Sequence, residues 1–482
     1  MPDFETVIGL EVHAELATAS KLFCGCPTKF GAPPNTHICP VCLGLPGVLP
    51  VLNRQALEFA VMAGLALNCT IAPRFKFDRK HYYYPDLPKN LQISQYDIPF
   101  ARNGFLDLPS GERVRIHRVH LEEDAGKLIH EGAAEKIGGG TAALVDYNRT
   151  GIPLMEIVSE PDLREPSAAA EYMREIQKIV RYLGVSDGNM EEGSLRCDAN
   201  ISVRRVGEAK LGAKVEIKNM NSFKGVERAL THEAIRQREL LGAGKVPAME
   251  TRLFDEATGE TRSMRSKEEA HDYRYFPEPD LLPFTMPPDR VEILRKRIPE
   301  LPAARARKYA EAPYSLSAYD IQVLTADRAV GDYFEEVVSA GAAPKSASNW
   351  VTNELLGALN AAGQGIKESR VKAGELASML KLIEDGTISG KIAKTVFAEM
   401  FKNGKPAAAI VKEQGLTQIA DEGSLRTDIA RIVEANPKSI ADFKAGKQQA
   451  VGFLVGQVMK ATGGKANPQM ANKLVKEILE KS

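Results

Sequence analysis

Hydrophobic and polar residues alternate strictly from Ser194 to Val203. Leu195, Cys197, Ala199, Ile201 and Val203 fall on one face of an extended chain; Ser194, Arg196, Asp198, Asn200 and Ser202 fall on the other. This period of two marks a half-buried strand. The polar set follows Glu191 and Glu192 and mixes short donors, a guanidinium, a carboxylate and an amide. It suits either a plain polar sheet face or one wall of a pocket for phosphate and metal. A second alternating run spans 6–16, with Ile8, Leu10, Val12 and Ala14 opposite Glu11, His13 and Glu15. Further strand patterns lie at 114–121, 143–147, 153–158 and 213–218. Helical spacing fits 167–183, with Pro166 before it, Ser167 as the expected cap and Gly184 at its end. Another helix fits 223–241, closed by Gly242 and Gly244.

The pattern then changes character. Pro277, Pro279, Pro283, Pro287 and Pro288 preclude a regular helix, and the main boundary is expected just after them. Beyond about residue 290, Ala, Lys, Leu and Glu dominate at helical spacing; 317–339 and 346–363 read as paired helices. Toward the end, Asn436-Pro437 and Asn467-Pro468 read as helix starts, and Gly463-Gly464 separates the last two helices. From Ile440 onward lysines outnumber acids, a face suited to solubility or to RNA. The expected class is α+β: a large mixed-sheet domain with a four-cysteine knuckle over 1–292, an all-helical domain over 293–406 and a small helical tail over 407–482.

Composition narrows the function classes. Among the 482 residues, 63 Lys and Arg balance 63 Asp and Glu, so net charge gives no pointer to a polyanion. No run is apolar enough to span a membrane, and Met1-Pro2-Asp3-Phe4-Glu5 has no signal- or transit-peptide character. The expected compartment is the cytoplasm, where disulfides are disfavoured. Cys24, Cys26, Cys39 and Cys42 form a C-x-C-x12-C-x2-C arrangement that can wrap one zinc ion with four thiolates. Such a closed site is structural. Cys69 and Cys197 read as core.

Candidate chemistry gathers around carboxylates. Glu11 and Glu15 flank His13 on one strand face and can ligate a divalent cation. Glu122, Glu123 and Asp124 repel one another unless solvated or neutralised by cations. With Glu156, Glu191, Glu192 and Asp198 they make a Mg2+ site attractive. The chain has no G-x-x-x-x-G-K-[ST] phosphate loop and no G-x-S-x-G nucleophile elbow. A nucleotide would therefore rest on Mg2+ and on cations such as Arg149, Arg196, Lys218, Arg262 and Arg265, with Asn219, Asn221 and Ser222 as polar contacts. Two other readings fit parts of this inventory: an RNA-binding scaffold with a zinc knuckle, and a metal-dependent nuclease.

Six segments carry a resemblance: 7–13 (VIGLEVH), 77–80 (FDRK), 84–89 (YPDLPK), 122–127 (EEDAGK), 191–202 and 272–280 (DYRYFPEPD). In order and spacing the chain resembles the GatB family, the B subunits of the aspartyl/glutamyl-tRNA(Asn/Gln) amidotransferases. The resemblance implies a cradle-shaped catalytic domain, a helical domain and a YqeY-like tail that binds tRNA. It implies a carbon–nitrogen ligase: ATP phosphorylates the side-chain carboxylate of Glu-tRNA(Gln) or Asp-tRNA(Asn), and ammonia displaces the phosphate. The ammonia would come through a tunnel from the glutaminase subunit, with a small third subunit completing a heterotrimer; a non-discriminating aminoacyl-tRNA synthetase is a further implied partner. Carried onto this sequence, Glu11, His13 and Glu123 are the expected Mg2+ ligands, with Glu122 beside them. Lys80 and Glu123 fall at the expected tunnel mouth, and Asp198, Ser194, Arg196 and Asn200 at ATP or the aminoacylated end.

Overall fold

A computed structural model describes residues 4–131, 142–266, 273–417, 422–444, 447, 449–462, 466 and 468–481. The chain divides into two compact units, Met1–Pro302 and Ala303–Ser482. The first is built on a nine-stranded sheet. Its central strand is Phe4–Glu15, flanked by Leu195–Arg205 on one side and Pro153–Ser159 on the other, both antiparallel. Arg113–Glu123, Ala101–Asp107 and Thr70–Ile71 continue beyond Pro153–Ser159; Val215–Lys218, Glu250–Asp255 and Glu260–Ser266 continue beyond Leu195–Arg205. Among the described residues, the pairing of Val215–Lys218 with Glu250–Asp255 is the parallel one.

The alternation decides which face is covered. Ile8, Leu10, Val12, Met155, Ile157, Cys197 and Ile201 join one buried cluster with Val61, Tyr172, Ile176 and Leu230. Those last four lie on the helices Arg54–Ala66, Pro166–Leu183 and Phe223–Gly242. At roughly 1.5–3 kcal/mol for each large side chain buried, this cluster fixes the sheet register, because a one-residue slip would turn every apolar group outward. Asn53 and Ser222 cap two of these helices with side-chain oxygens. The third starts one residue before the expected cap: Pro166 occupies its first turn, Ser167 lies inside it, and Gly184 closes it in the left-handed region. Cys69 and Cys197 are core thiols, as expected.

The second unit is helical among its described residues and holds two separate cores. One runs from Tyr309 to Val411, the other from Leu425 to Leu479. Ala407, Ile410 and Val411 belong to the first of these cores, so the third core starts later than the expected boundary at 407. The segment 317–339 is two helices, Ala318–Leu324 and Arg328–Ser339, because Asp327 caps the second. Pro437 and Pro468 each open a helix.

Candidate metal and phosphate site

The face of the nine-stranded sheet opposite the helices is polar, and strand register sets its chemistry. Glu11 lies opposite Asp198 and His13 opposite Arg196; on the other side His13 lies opposite Glu156, and Glu156 opposite His120. Glu122 shares this face, two positions along from His120. His13 Nε2 stands 3.7 Å from Glu122 and 3.6 Å from Glu156. His120 Nε2 stands 3.0 Å from Glu156 and 3.8 Å from Glu122. Ser94 Oγ donates to Glu122 at 3.1 Å. His13, Glu122 and Glu156 can each turn one ligand atom to a common centre, all within 4.8 Å of one another.

Burial and charge compete strongly here. Burial pushes the His13 imidazolium down, but Glu156 and Glu122 outweigh it and lift it to about 9. Burial also disfavours the Glu156 carboxylate, yet His120 and His13 hold it well below the usual range. Glu122 is likewise lowered, against burial, by His120 and Lys80. Lys80 is raised, against burial, by Glu122 first and then its aromatic neighbours. Its ammonium lies 5.0 Å from the Tyr273 ring centre and 5.6 Å from that of Tyr82. Without metal the cluster is neutralised by protonated histidine; a divalent cation would do the same and displace the proton.

A second cluster sits two residues along the central strand. Glu11, Asp198 and Glu216 converge within 4.8 Å. Lys218 bridges Asp198 and Glu216, 3.1 Å from the latter, and Thr251 donates to Glu216 at 3.0 Å. Asn200 Nδ2 donates to Glu11 at 2.9 Å, while its Oδ1 is buried without a donor. An orphan acceptor beside three carboxylates fits a cation or its bound water. The three hard oxygen donors suit Mg2+, whereas the carboxylate–imidazole set suits a divalent cation more broadly. Glu216 lies on the polar face because it alternates with buried Val215 and Ile217; the sequence does not single it out as a ligand.

At the far end of the face Asp124 pairs with Arg196 and lies 3.5 Å from Arg149, which also donates to the carbonyls of Ala125 and Gly126 at 2.9 and 2.8 Å. Burial, with Asp124 close by, pushes the Glu15 carboxyl up to about 8.

The structure places several of the expected site residues elsewhere. Glu123 does not join Glu11 and His13: it follows Glu122 by one residue and so points to the opposite face. There its carboxylate pairs with Lys89 and accepts from the Ile93 amide at 3.2 Å. Lys80 faces Glu122, while Glu123 is paired with Lys89. Ser194 precedes the strand and serves its turn, bonding Asp187 and the Asn189 amide; Asn219 has φ 69° and donates to the Phe254 carbonyl at 3.1 Å. Both side chains are taken up by local structure. Glu191 and Glu192 are exposed in a turn, Arg262 pairs with Asp255, Ser222 is a helix cap, and the Arg265 side chain lies outside the described residues.

The four cysteines do converge, all sulfurs within 4.8 Å of one another; a tetrahedral zinc thiolate needs about 3.8 Å between sulfurs. Hydrogen bonding from Cys24, with further help from the Cys39 amide and Lys21, overrides burial and holds the Cys42 thiol down to about 4. Cys26 is pushed up to about 11 by burial and Cys39. Four soft donors sharing protons in so small a volume fit a closed structural metal.

Residues 6–292 match the GatB/GatE catalytic domain family and 332–479 match the GatB domain family. The chain is 54% identical over 484 positions to the aspartyl/glutamyl-tRNA(Asn/Gln) amidotransferase B subunit of Carboxydothermus hydrogenoformans, covering 100% of both. It is 55% identical to that of Moorella thermoacetica, over 99% of this chain and 100% of the relative. The Geobacter sulfurreducens protein of the same name is 54% identical over the same shares. No helix among the described residues is long and apolar enough to cross a membrane.

Proposed function

This chain belongs to the GatB family, the B subunits of the aspartyl/glutamyl-tRNA(Asn/Gln) amidotransferases, and from that premise we propose that it phosphorylates and then amidates a misacylated tRNA. The γ-phosphoryl group of ATP passes to a side-chain carboxylate oxygen of Glu-tRNA(Gln) or Asp-tRNA(Asn), and ADP leaves. Ammonia attacks the acyl carbon, the carbon–oxygen bond to phosphate breaks, and a proton is lost as the amide forms. A free carboxylate is a poor acyl donor because its leaving group would be oxide; phosphorylation replaces that with phosphate.

The observation that carries this reading is the pair of anionic clusters on one sheet face, with His13 and Glu11 about 7 Å apart along their strand. His13, Glu122 and Glu156 would hold one Mg2+, and Glu11, Asp198 and Glu216 a second; bound there, Mg2+ would supply charge neutralisation for the phosphate oxygens. Lys80 adds a desolvated cation above Glu122; Arg149, Arg196, Lys218 and Asn200 orient the remaining phosphate and acyl oxygens. Glu123 and Lys89, on the opposite face, serve the ammonia side, where a carboxylate can take the proton from ammonium. The four cysteines hold zinc. The glutaminase subunit and the small third subunit complete a cytoplasmic heterotrimer, and the helical domain and tail bind the tRNA body.

The test reconstitutes the chain with its partner subunits, Glu-tRNA(Gln), ATP, Mg2+ and ammonium chloride. ADP and Gln-tRNA(Gln) should form together. An intact complex that binds tRNA but yields neither would sink the proposal, as would nuclease cleavage of the tRNA in their place.

A further inference from the structure

Lys21 is fully buried, yet no carboxylate among the described residues pairs with it. Its ammonium donates to the carbonyl of His37 at 2.8 Å, to that of Tyr147 at 3.3 Å, and to Cys42 Sγ at 3.7 Å. A buried ammonium needs an anion as well as dipoles, and the cysteine cluster is the anion in contact with it. A zinc ion with four thiolates carries two net negative charges, which one lysine halves. We infer that Lys21 is the positioning residue of the four-cysteine centre, compensating its charge and tying it to the turn that carries Arg149.

The ties run through named bonds. The Lys21 amide donates to the Cys26 carbonyl at 3.0 Å, and the next amide, Leu22, donates to the Gly151 carbonyl at 2.8 Å. The knuckle loop is fastened to the same turn: the His37 amide donates to Asn148, Asn148 to the Pro33 carbonyl, and Asn35 to the Val145 carbonyl, at 2.8, 2.7 and 3.0 Å. Gly151 has φ 83°, and a β-carbon there would stand 3.6 Å from each of Lys21 Cδ, Cys42 Cβ and Glu123 Oε1. The Gly151 amide in turn donates to the Asp124 carbonyl at 2.9 Å. Thus the metal centre, through Lys21, braces the turn between Arg149 and the acidic run 122–124. Outer-layer donors of this kind are worth roughly 10- to 100-fold in metal affinity.

The inference rests on the zinc reading, and the test separates the two. Zinc content and chelator competition are measured on the full chain as wild type, Lys21→Gln and Lys21→Met. Gln keeps a donor and removes the charge; Met keeps the bulk alone. The wild type should hold one zinc, and both variants should bind it about 10- to 100-fold more weakly. With Co2+ in place of zinc, their thiolate-to-metal absorption should move to longer wavelength, because a nearby positive charge no longer lowers the sulfur electrons. A core role alone would leave that band in place. A wild type without zinc overturns the zinc reading and the inference with it. Zinc in the wild type with unchanged affinity and band in both variants overturns the inference alone. So does failure of both variants to fold in saturating zinc, which would make Lys21 a core residue.

Discussion

Two neighbouring clusters concentrate negative charge in the first unit, and they solve the problem differently. The cysteine centre is closed: four soft donors face one another, and a buried lysine and backbone amides complete the shell. The sheet face is a wider array: carboxylates on separate strands are neutralised by imidazoles and by Lys80, Lys218 and Arg196, with an orphan amide oxygen among them. A closed set holds its metal as part of the fold, whereas such an array can exchange ions and admit phosphate. The glutamates at 122 and 123 divide these surroundings between them. Glu122, itself buried, faces His13 and Glu156 on the polar sheet face; Glu123 lies beside Gly151, close to Lys21 and Cys42.

This comparison can be broken in several places. Glu122→Gln removes a ligand from the sheet-face site and should lower tRNA-dependent ATP cleavage on the order of 10³-fold, with an unchanged far-ultraviolet circular dichroism spectrum. Glu123→Gln should lower amide product roughly 10²-fold while ADP release continues; equal loss of both would merge the two roles. Cys39→Ser should empty the closed site and lower the melting temperature by several degrees, and EDTA should do the same to the wild type. Magnesium removal should stop turnover without that shift.

A smaller effect concerns pH. His13 must be neutral to ligate, and its folded-state value is about 9, so a bound proton competes with Mg2+ below that pH. Apparent Mg2+ affinity at this cluster should rise with pH, by at most about tenfold per unit, and level off above 9. The same proton contributes stability to the metal-free protein. Because the folded value is raised above the ordinary 6.5, that contribution is complete below about 6.5 and lost as pH rises through 9. Calorimetry in EDTA across this window measures it. Smallest of all, deleting residues from 422 should weaken tRNA binding severalfold at moderate salt and leave metal binding intact.

Much of the site was legible because strand alternation is strict near the centre of the sheet. Glu11, His13, Arg196, Asp198 and Asn200 all share the face that their spacing assigns. The expectation of Glu123 as a Mg2+ ligand comes from the resemblance alone, and the strand pattern around it gives no simple check. Apolar residues in this strand fall at Val114 and Ile116, then at Val119 and Leu121. The phase changes because Ser159 pairs with Ile116 while Val158 pairs with Arg118, a bulge that inserts an extra residue. The parity of Glu122 and Glu123 therefore cannot be read from the start of the strand. Glu216 was hidden for another reason: its strand, Val215–Lys218, is legible, but its partners Glu11 and Asp198 come from strands that the sequence alone does not place beside it. Lys21 offered no signal, since one lysine in a loop looks exposed until the fold closes over it.

Glu122, and not its neighbour, is proposed to help hold the catalytic cation. Mn2+ in place of Mg2+ makes this directly measurable by electron paramagnetic resonance on the full chain without nucleotide. The account predicts that Glu122→Gln loses tight Mn2+ binding at the His13 cluster while Glu123→Gln retains it. Retention by Glu122→Gln with loss in Glu123→Gln would contradict it.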